Sequence, residues 1–173
     1  LYTLGDANLN SRKIISIVGT RKATTQGIDF CEKLVEQLKA REHNPIIVSG
    51  LAYGIDAAAH RAALINKLET IAVLGHGLDI IYPASHKKLA GEIKKQGLIM
   101  TDFPSKSIRD KNNFIKRNRI IAGLSDATIV IESGEKGGSL VTADIANSYN
   151  RDVFAVPGRI TDEYSRGCNN LIK

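Results

Sequence analysis

Short β-branched runs alternate along this chain with longer segments whose apolar positions recur at helical spacing. Ile14-Ile15-Ser16-Ile17-Val18 is the first run, followed by Gly19-Thr20-Arg21 and a helical pattern from about Thr25 to Ala40. Ile46-Ile47-Val48 repeats the plan, through the turn Ser49-Gly50-Leu51-Ala52-Tyr53-Gly54, into an alanine-rich helix from Ile55 to about Asn66. Thr70 to Leu74 predicts a third strand, which ends in Gly75-His76-Gly77 and leads through Tyr82-Pro83 to a helix near Ser85 to Gln96. Leu98 to Thr101, Ala127 to Ile131 and Asp152 to Val156 complete the set of strands, with helices between them from about Asn113 and from about Leu140 to Tyr149. Leu1 to Arg12 reads as a polar lead-in, the remnant of a preceding segment, so the domain itself is expected over residues 13–173.

Continuous apolar strands interleaved with amphipathic helices predict an α/β domain of three layers, a mostly parallel sheet covered on both faces. In such sheets ligands sit beyond the carboxyl ends of the strands. The turns at Gly19, Gly50, Gly75 and Gly77, and Gly137 and Gly138 directly follow strands and therefore share that edge. Glycine allows close backbone approach, and helix starts present N–H donors at the positive dipole end, so the edge should attract anions. Arg21 and the most basic part of the chain lie on the same edge.

That basic part, Lys106 to Arg119, holds six basic residues and one acid, Asp110, with Phe114 among them. Cations for phosphates and a ring for a base are the makings of a single-stranded nucleic-acid site, against the plainer reading of a solvated helix face. With the helix starting near Asn113, Ile120, Ile121 and Leu124 form its buried stripe. Arg117 falls in that stripe one turn earlier, whereas Lys116, Asn118 and Arg119 lie off it. An inward Arg must pair with a carboxylate inside or reach a phosphate at the helix mouth, because an unpaired buried charge costs too much. Phe114 either stacks on a base or packs on the core as a helix-start staple.

Composition narrows the picture modestly. The 173 residues suit one domain with a sizeable core. The net charge of +6 and a pI near 9.4 lean toward an anionic partner. Two cysteines, Cys31 and Cys168, form no disulfide framework and read as reduced thiols of a cytoplasmic protein. No signal peptide is expected, and no apolar run reaches the roughly 18 residues of a membrane span, so no membrane partner is expected. The chain starts without Met and stops just after Leu171-Ile172, as expected for a piece of a longer protein.

No cofactor, metal or catalytic residue is expected. Gly75-His76-Gly77-Leu78-Asp79-Ile80 begins like a dinucleotide fingerprint but has Ile80 at the third glycine. Gly19-Thr20-Arg21 lacks the spacing and the Lys-Ser/Thr pair of a P-loop. His43, His60, His76 and His86 are scattered, and Asp56 and His60, one helical turn apart, suggest a structural hydrogen bond rather than a metal site. Ser139 near Thr142 and Asp144 has no following His and no strand–Ser elbow.

Six stretches together resemble the DNA-processing protein A family (DprA, also called Smf). They are Ile17-Val18-Gly19-Thr20-Arg21, Ser49-Gly50-Leu51-Ala52-Tyr53-Gly54-Ile55-Asp56, Gly75 to Pro83, Arg117-Asn118-Arg119-Ile120-Ile121-Ala122-Gly123-Leu124-Ser125, Gly138-Ser139-Leu140-Val141-Thr142-Ala143 and Phe154-Ala155-Val156-Pro157-Gly158. The resemblance implies an extended Rossmann-like domain that binds single-stranded DNA in a basic pocket. It also implies a homodimer, formed through the C-terminal end of the domain, that protects incoming DNA and loads a RecA-type recombinase in natural transformation. By position, Arg21 matches a phosphate-contacting Arg, and Lys111 and Phe114 match a Lys and a Phe that contact DNA. The candidate site is thus Gly19, Thr20, Arg21, Ser49, Gly50, Lys111, Phe114, Arg117, Asn118, Arg119, Gly137, Gly138 and Ser139. The chain departs from the family pattern at Ile115, Gly137 and Thr101-Asp102, where Pro, Ser and Ser-Glu are usual.

The rival is an enzyme. Domains of this family resemble in fold the LOG/lysine-decarboxylase-like phosphoribohydrolases, whose motif carries a catalytic Glu. Aligning Gly138-Ser139 with that motif puts Thr142 where the Glu belongs, so the carboxylate is missing.

Overall fold

The computed structural model describes residues 1–108 and 110–173; Arg109, counted above in the basic segment, lies outside the described residues. Seven strands, β1 (Tyr2–Gly5), β2 (Ile14–Val18), β3 (Ile46–Ser49), β4 (Thr70–Val73), β5 (Gly97–Thr101), β6 (Ala127–Val130) and β7 (Asp152–Ala155), make one sheet in the order β1-β5-β4-β3-β2-β6-β7. Every pairing is parallel except β1 with β5. Helices α1 (Thr25–Ala40), α2 (Ile55–Ile65) and α3 (Lys87–Gln96) connect the strands from β2 to β5. After β5 the chain crosses back over the sheet through α4 (Lys111–Leu124), lays β6 beside β2, and adds α5 (Gly138–Ser148) and α6 (Arg166–Ile172).

The two helical layers explain why the central strands read as unbroken apolar runs. All residues of β3, β4 and β5 are buried, because both faces are covered. In β2, Ile14 and Val18 join Ile120 and Ile121 of α4 and Ala143 of α5. Ile17 points the other way, onto Cys31 and Val35 of α1 and Ile55 and Ala59 of α2. Alanine along α2 lets that helix lie close to the sheet. The α/β architecture with its mostly parallel sheet is the one the alternation predicts.

Three local expectations change. The polar lead-in contributes β1, an antiparallel edge strand in register Tyr2 with Thr101; all four of its residues are exposed, so it carries no burial pattern to read. The end of the chain, for which the pattern predicts no helix, forms α6, from which Leu171 packs against the core beside Cys168. Asp56 and His60 make no hydrogen bond with each other. His60 Nδ1 instead lies 2.7 Å from Thr70 Oγ1, and burial pushes its pKa down to about 3.

Candidate nucleic-acid interface

The chain runs one way from β2, into β3, and the later strand β6 lies on the other side of β2. The loops after β2 and β6 therefore diverge and leave a crevice at the carboxyl edge of the sheet. It is a groove of about 1010 Å³. One wall is Gly19 to Lys22, the other Ser133 to Ser139, and the first two turns of α4 close it with Lys111, Phe114, Ile115, Arg117 and Asn118.

Local sequence sets the α4 wall. Asp110, the one acid in the basic segment, caps the helix by accepting from Asn112 N at 2.8 Å. Lys111 is thereby the first helical residue and stands exposed at the groove mouth. One turn on, Phe114 is half-buried. It packs on the turn after β4, where a Cβ on Gly75 would lie 2.9 Å from the ring, and it meets His76 edge-on at 6.5 Å and Tyr82 at 5.7 Å. The guanidinium carbon of Arg21 sits 5.9 Å above its ring centre.

The next turn is of a different kind. Arg117 is 4% exposed, with Nη1 donating to the carbonyls of Gly50, at 2.7 Å, and Val73, and Nε donating to Asn118 Oδ1 at 3.2 Å. The guanidinium thus ties the ends of β3 and β4 to α4. A Cβ on Gly50 would fall 2.5 Å from Arg117 Nη1 and 2.6 Å from Asp56 Oδ2, so only glycine leaves room for the pair. Burial pulls the Arg117 pKa down to about 10, opposed by the charge of Asp56, and the side chain stays cationic at neutral pH. Burial raises the Asp56 carboxyl in turn, against the pull of Arg117 and the Ala52 N–H. The partner expected for an inward Arg is an inside carboxylate or a phosphate. Here backbone carbonyls take the guanidinium, and Asp56 lies near without an ion pair among the described residues.

Asn118, expected off the buried stripe, is 7% exposed, and its Nδ2 donates to Gly138 O at 3.2 Å. The reason is that α4 packs against α5 as well as the sheet, which widens its buried arc beyond one stripe. The helix α5 starts two residues earlier than the pattern implied, at Gly138, where an added Cβ would meet open space. Ser139 Oγ donates to Ser133 Oγ at 3.0 Å, and Thr142 Oγ1 donates to Gly138 O at 3.2 Å.

A sequence profile for DNA recombination-mediator protein A matches residues 1–173. The chain belongs to this family. It is 46% identical to protein Smf of Synechocystis over 91% of its own length and 39% of that protein's. It superimposes on DNA processing protein A of Streptococcus pneumoniae with a TM-score of 0.92 and 42% identity, covering 98% of this chain and 59% of that one. The corresponding protein of Helicobacter pylori, described for its single-stranded DNA binding mode, gives a TM-score of 0.89 at 32% identity, over 99% and 77% of the two chains. The chain therefore spans about half the length of the curated relatives it matches.

Within this DNA recombination-mediator protein A fold, the groove gathers Gly19, Thr20, Arg21, Lys111, Phe114, Arg117, Asn118, Gly137, Gly138 and Ser139. Ser49 and Gly50 lie beneath it: Ser49 Oγ donates to Ile17 O at 2.6 Å, and Gly50 O holds Arg117. Arg119 is outside the groove and bridges Asp102. Sequence reasoning did not find Lys22, Tyr82, Lys136, Tyr164 and Arg166, which also line it. Tyr82 stands inside a stretch that carried the family resemblance, and Lys136 follows the fifth predicted strand, so both had a local signal. Arg166 and Tyr164 had none, since only the folding back of the α6 segment brings them near.

Acids share the groove, and Glu135 takes Arg166 at 3.4 Å. Among the described residues, no ion pair engages Arg21, Lys22, Lys111 or Lys136. These four cations remain for an outside anion.

Proposed function

We propose that this domain binds single-stranded DNA along the groove at the β2/β6 switch point. The observation that carries the proposal is Arg21 poised 5.9 Å over the half-buried Phe114 ring, beside Lys22 and Lys111, which make no ion pair among the described residues. A phosphate on the Arg21 fork and a base against the Phe114 ring need that spacing and that pairing of residue types. Duplex DNA hides its base faces, which favours a single strand. The family membership and the DNA-binding relative from Helicobacter pylori support the same reading.

By the same resemblance, the whole protein protects incoming DNA and loads a RecA-type recombinase during natural transformation, as a cytoplasmic homodimer. The edge strand β7, with Phe154 57% exposed, and Ile160 beyond it, 87% exposed, offer an apolar surface for the second copy. The enzymatic rival is disfavoured by Thr142, whose hydroxyl bonds Gly138 O where a catalytic carboxylate would stand.

Fluorescence anisotropy with oligo-dT and a matching duplex at two salt concentrations tests the proposal. Each phosphate neutralised on a single strand contributes about −0.7 to the slope of log K against log salt, so three or four engaged cations give a slope of roughly −2 to −3. A flat salt response, or tighter binding to duplex, refutes it.

A further inference from the structure

We propose that the strand path continues past Phe114 onto a second aromatic station formed by Tyr82 and Tyr53; this rests on the single-strand reading of the groove. The chain has only four Phe and five Tyr, yet three of these rings stand along this one edge. Tyr82 lines the groove, tilted 46° against Phe114 at 5.7 Å, and is 46% exposed. Tyr53 follows Ala52 of the groove wall and is 49% exposed. Single exposed aromatics are ordinary, but these two are held in place.

Tyr53 is fixed from two sides. Its hydroxyl accepts from Ser85 Oγ at 3.2 Å, in the turn that follows Tyr82, and its own proton stays available for an outside acceptor. Its ring meets the buried His86 edge-on at 5.0 Å, and His86 Nδ1 is anchored 2.9 Å from Leu51 O. The turn carrying Tyr53 also touches the Arg21 loop. Gly54, at φ 74°, presses on the backbone of Thr20 and Arg21, and Ile55 N donates to Thr20 O at 3.3 Å. Beyond His86 come Lys87 and Lys88, exposed and in no ion pair among the described residues. Two half-exposed rings, with exposed lysines directly after His86, bring to this edge the residue types of the Phe114–Arg21 combination. Every base has a π-face, so the station takes any sequence.

The test uses oligo-dT of about four, eight and sixteen nucleotides, lengths that span single-strand site sizes. In the wild type, affinity should rise from the shortest to the longer oligomers. Tyr53→Leu should lose about five- to a hundredfold on the longer ones and little on the shortest. Tyr82 also lines the groove beside Phe114, so Tyr82→Leu should lose at every length. Tyr→Phe at either position restores binding. The chain has no Trp, so tyrosine emission is readable: oligo-dT should quench it, and the leucine variants, which keep Tyr164 in the groove, should show less quenching than wild type. Tyr53→Leu, on an exposed turn, decides the matter alone if Tyr82→Leu does not fold. Leucine variants that bind and quench like wild type at every length overturn the second station and leave the groove proposal standing. A wild type that binds no oligomer overturns both.

Discussion

Two consecutive turns of α4 put the same residue types to opposite uses. In the first, Lys111 is exposed without an ion pair among the described residues, and Phe114 turns a half-open ring toward Arg21. In the second, Arg117 is buried with its guanidinium on two strand-end carbonyls, and Asn118 is buried on the start of α5. Both turns line the groove, so position alone does not separate them. What separates them is whether the polar group already has its partners. A cation satisfied inside the fold positions the site, and one left unsatisfied at its mouth is available to a ligand. The first turn should therefore govern affinity and the second stability.

The largest effect expected is at Arg117. Replacing it with Met leaves the Gly50 and Val73 carbonyls without their donor and Asp56 without its nearby cation, at a cost of about 3–5 kcal/mol. Urea denaturation should show the loss, and adding Asp56→Asn should return part of it. If Arg117→Met melts like wild type and only binding suffers, the division between the turns is wrong.

Phe114→Ala comes next, with a loss of about 1–3 kcal/mol in single-strand affinity and an unchanged salt slope, since no charge is removed. Circular dichroism and melting must show the variant folded, because the ring also packs on Gly75 and His76. An early-melting variant that binds normally while folded would make the ring a staple.

Arg21→Ala should weaken binding and also flatten the salt slope by about 0.7 for the phosphate released. Lys111→Ala should do the same more mildly, because an ammonium is a flexible point charge and a guanidinium a rigid fork. Equal slopes in wild type and both variants would remove these two cations from the interface.

The smallest effect belongs to Arg119. Its bridge to Asp102 is half-exposed and outside the groove, so Arg119→Ala should cost no more than about 1 kcal/mol of stability. Its oligo-dT titration should overlay that of wild type; a large affinity loss would extend the interface around α4.

Much of this was legible along the chain. The strands from β2 to β7 and the helices α1 to α5 follow from apolar runs, glycine turns and helical spacing, because burial on both faces leaves a continuous signature. The carboxyl edge followed as well, since glycine turns after parallel strands must share it. Arg21, Lys111 and Phe114 were readable as residue types suited to a strand of nucleic acid. Less visible were β1, whose exposed residues carry no pattern, and α6, seven residues long with one glycine inside.

What tertiary structure alone decided is which polar groups have partners. Sequence spacing turned Arg117 inward and offered a carboxylate or a phosphate as its partner; the carbonyl ends of β3 and β4, contributed from more than forty residues away, take its Nη1 instead. Asn118 is buried because a second helix packs on α4, and Arg166 and Tyr164 reach the groove because α6 folds back beside β7. Periodicity records whether a side chain faces the core of its own element. Whether a buried charge is satisfied, or an exposed one left over, depends on atoms that only the folded chain brings within hydrogen-bonding distance.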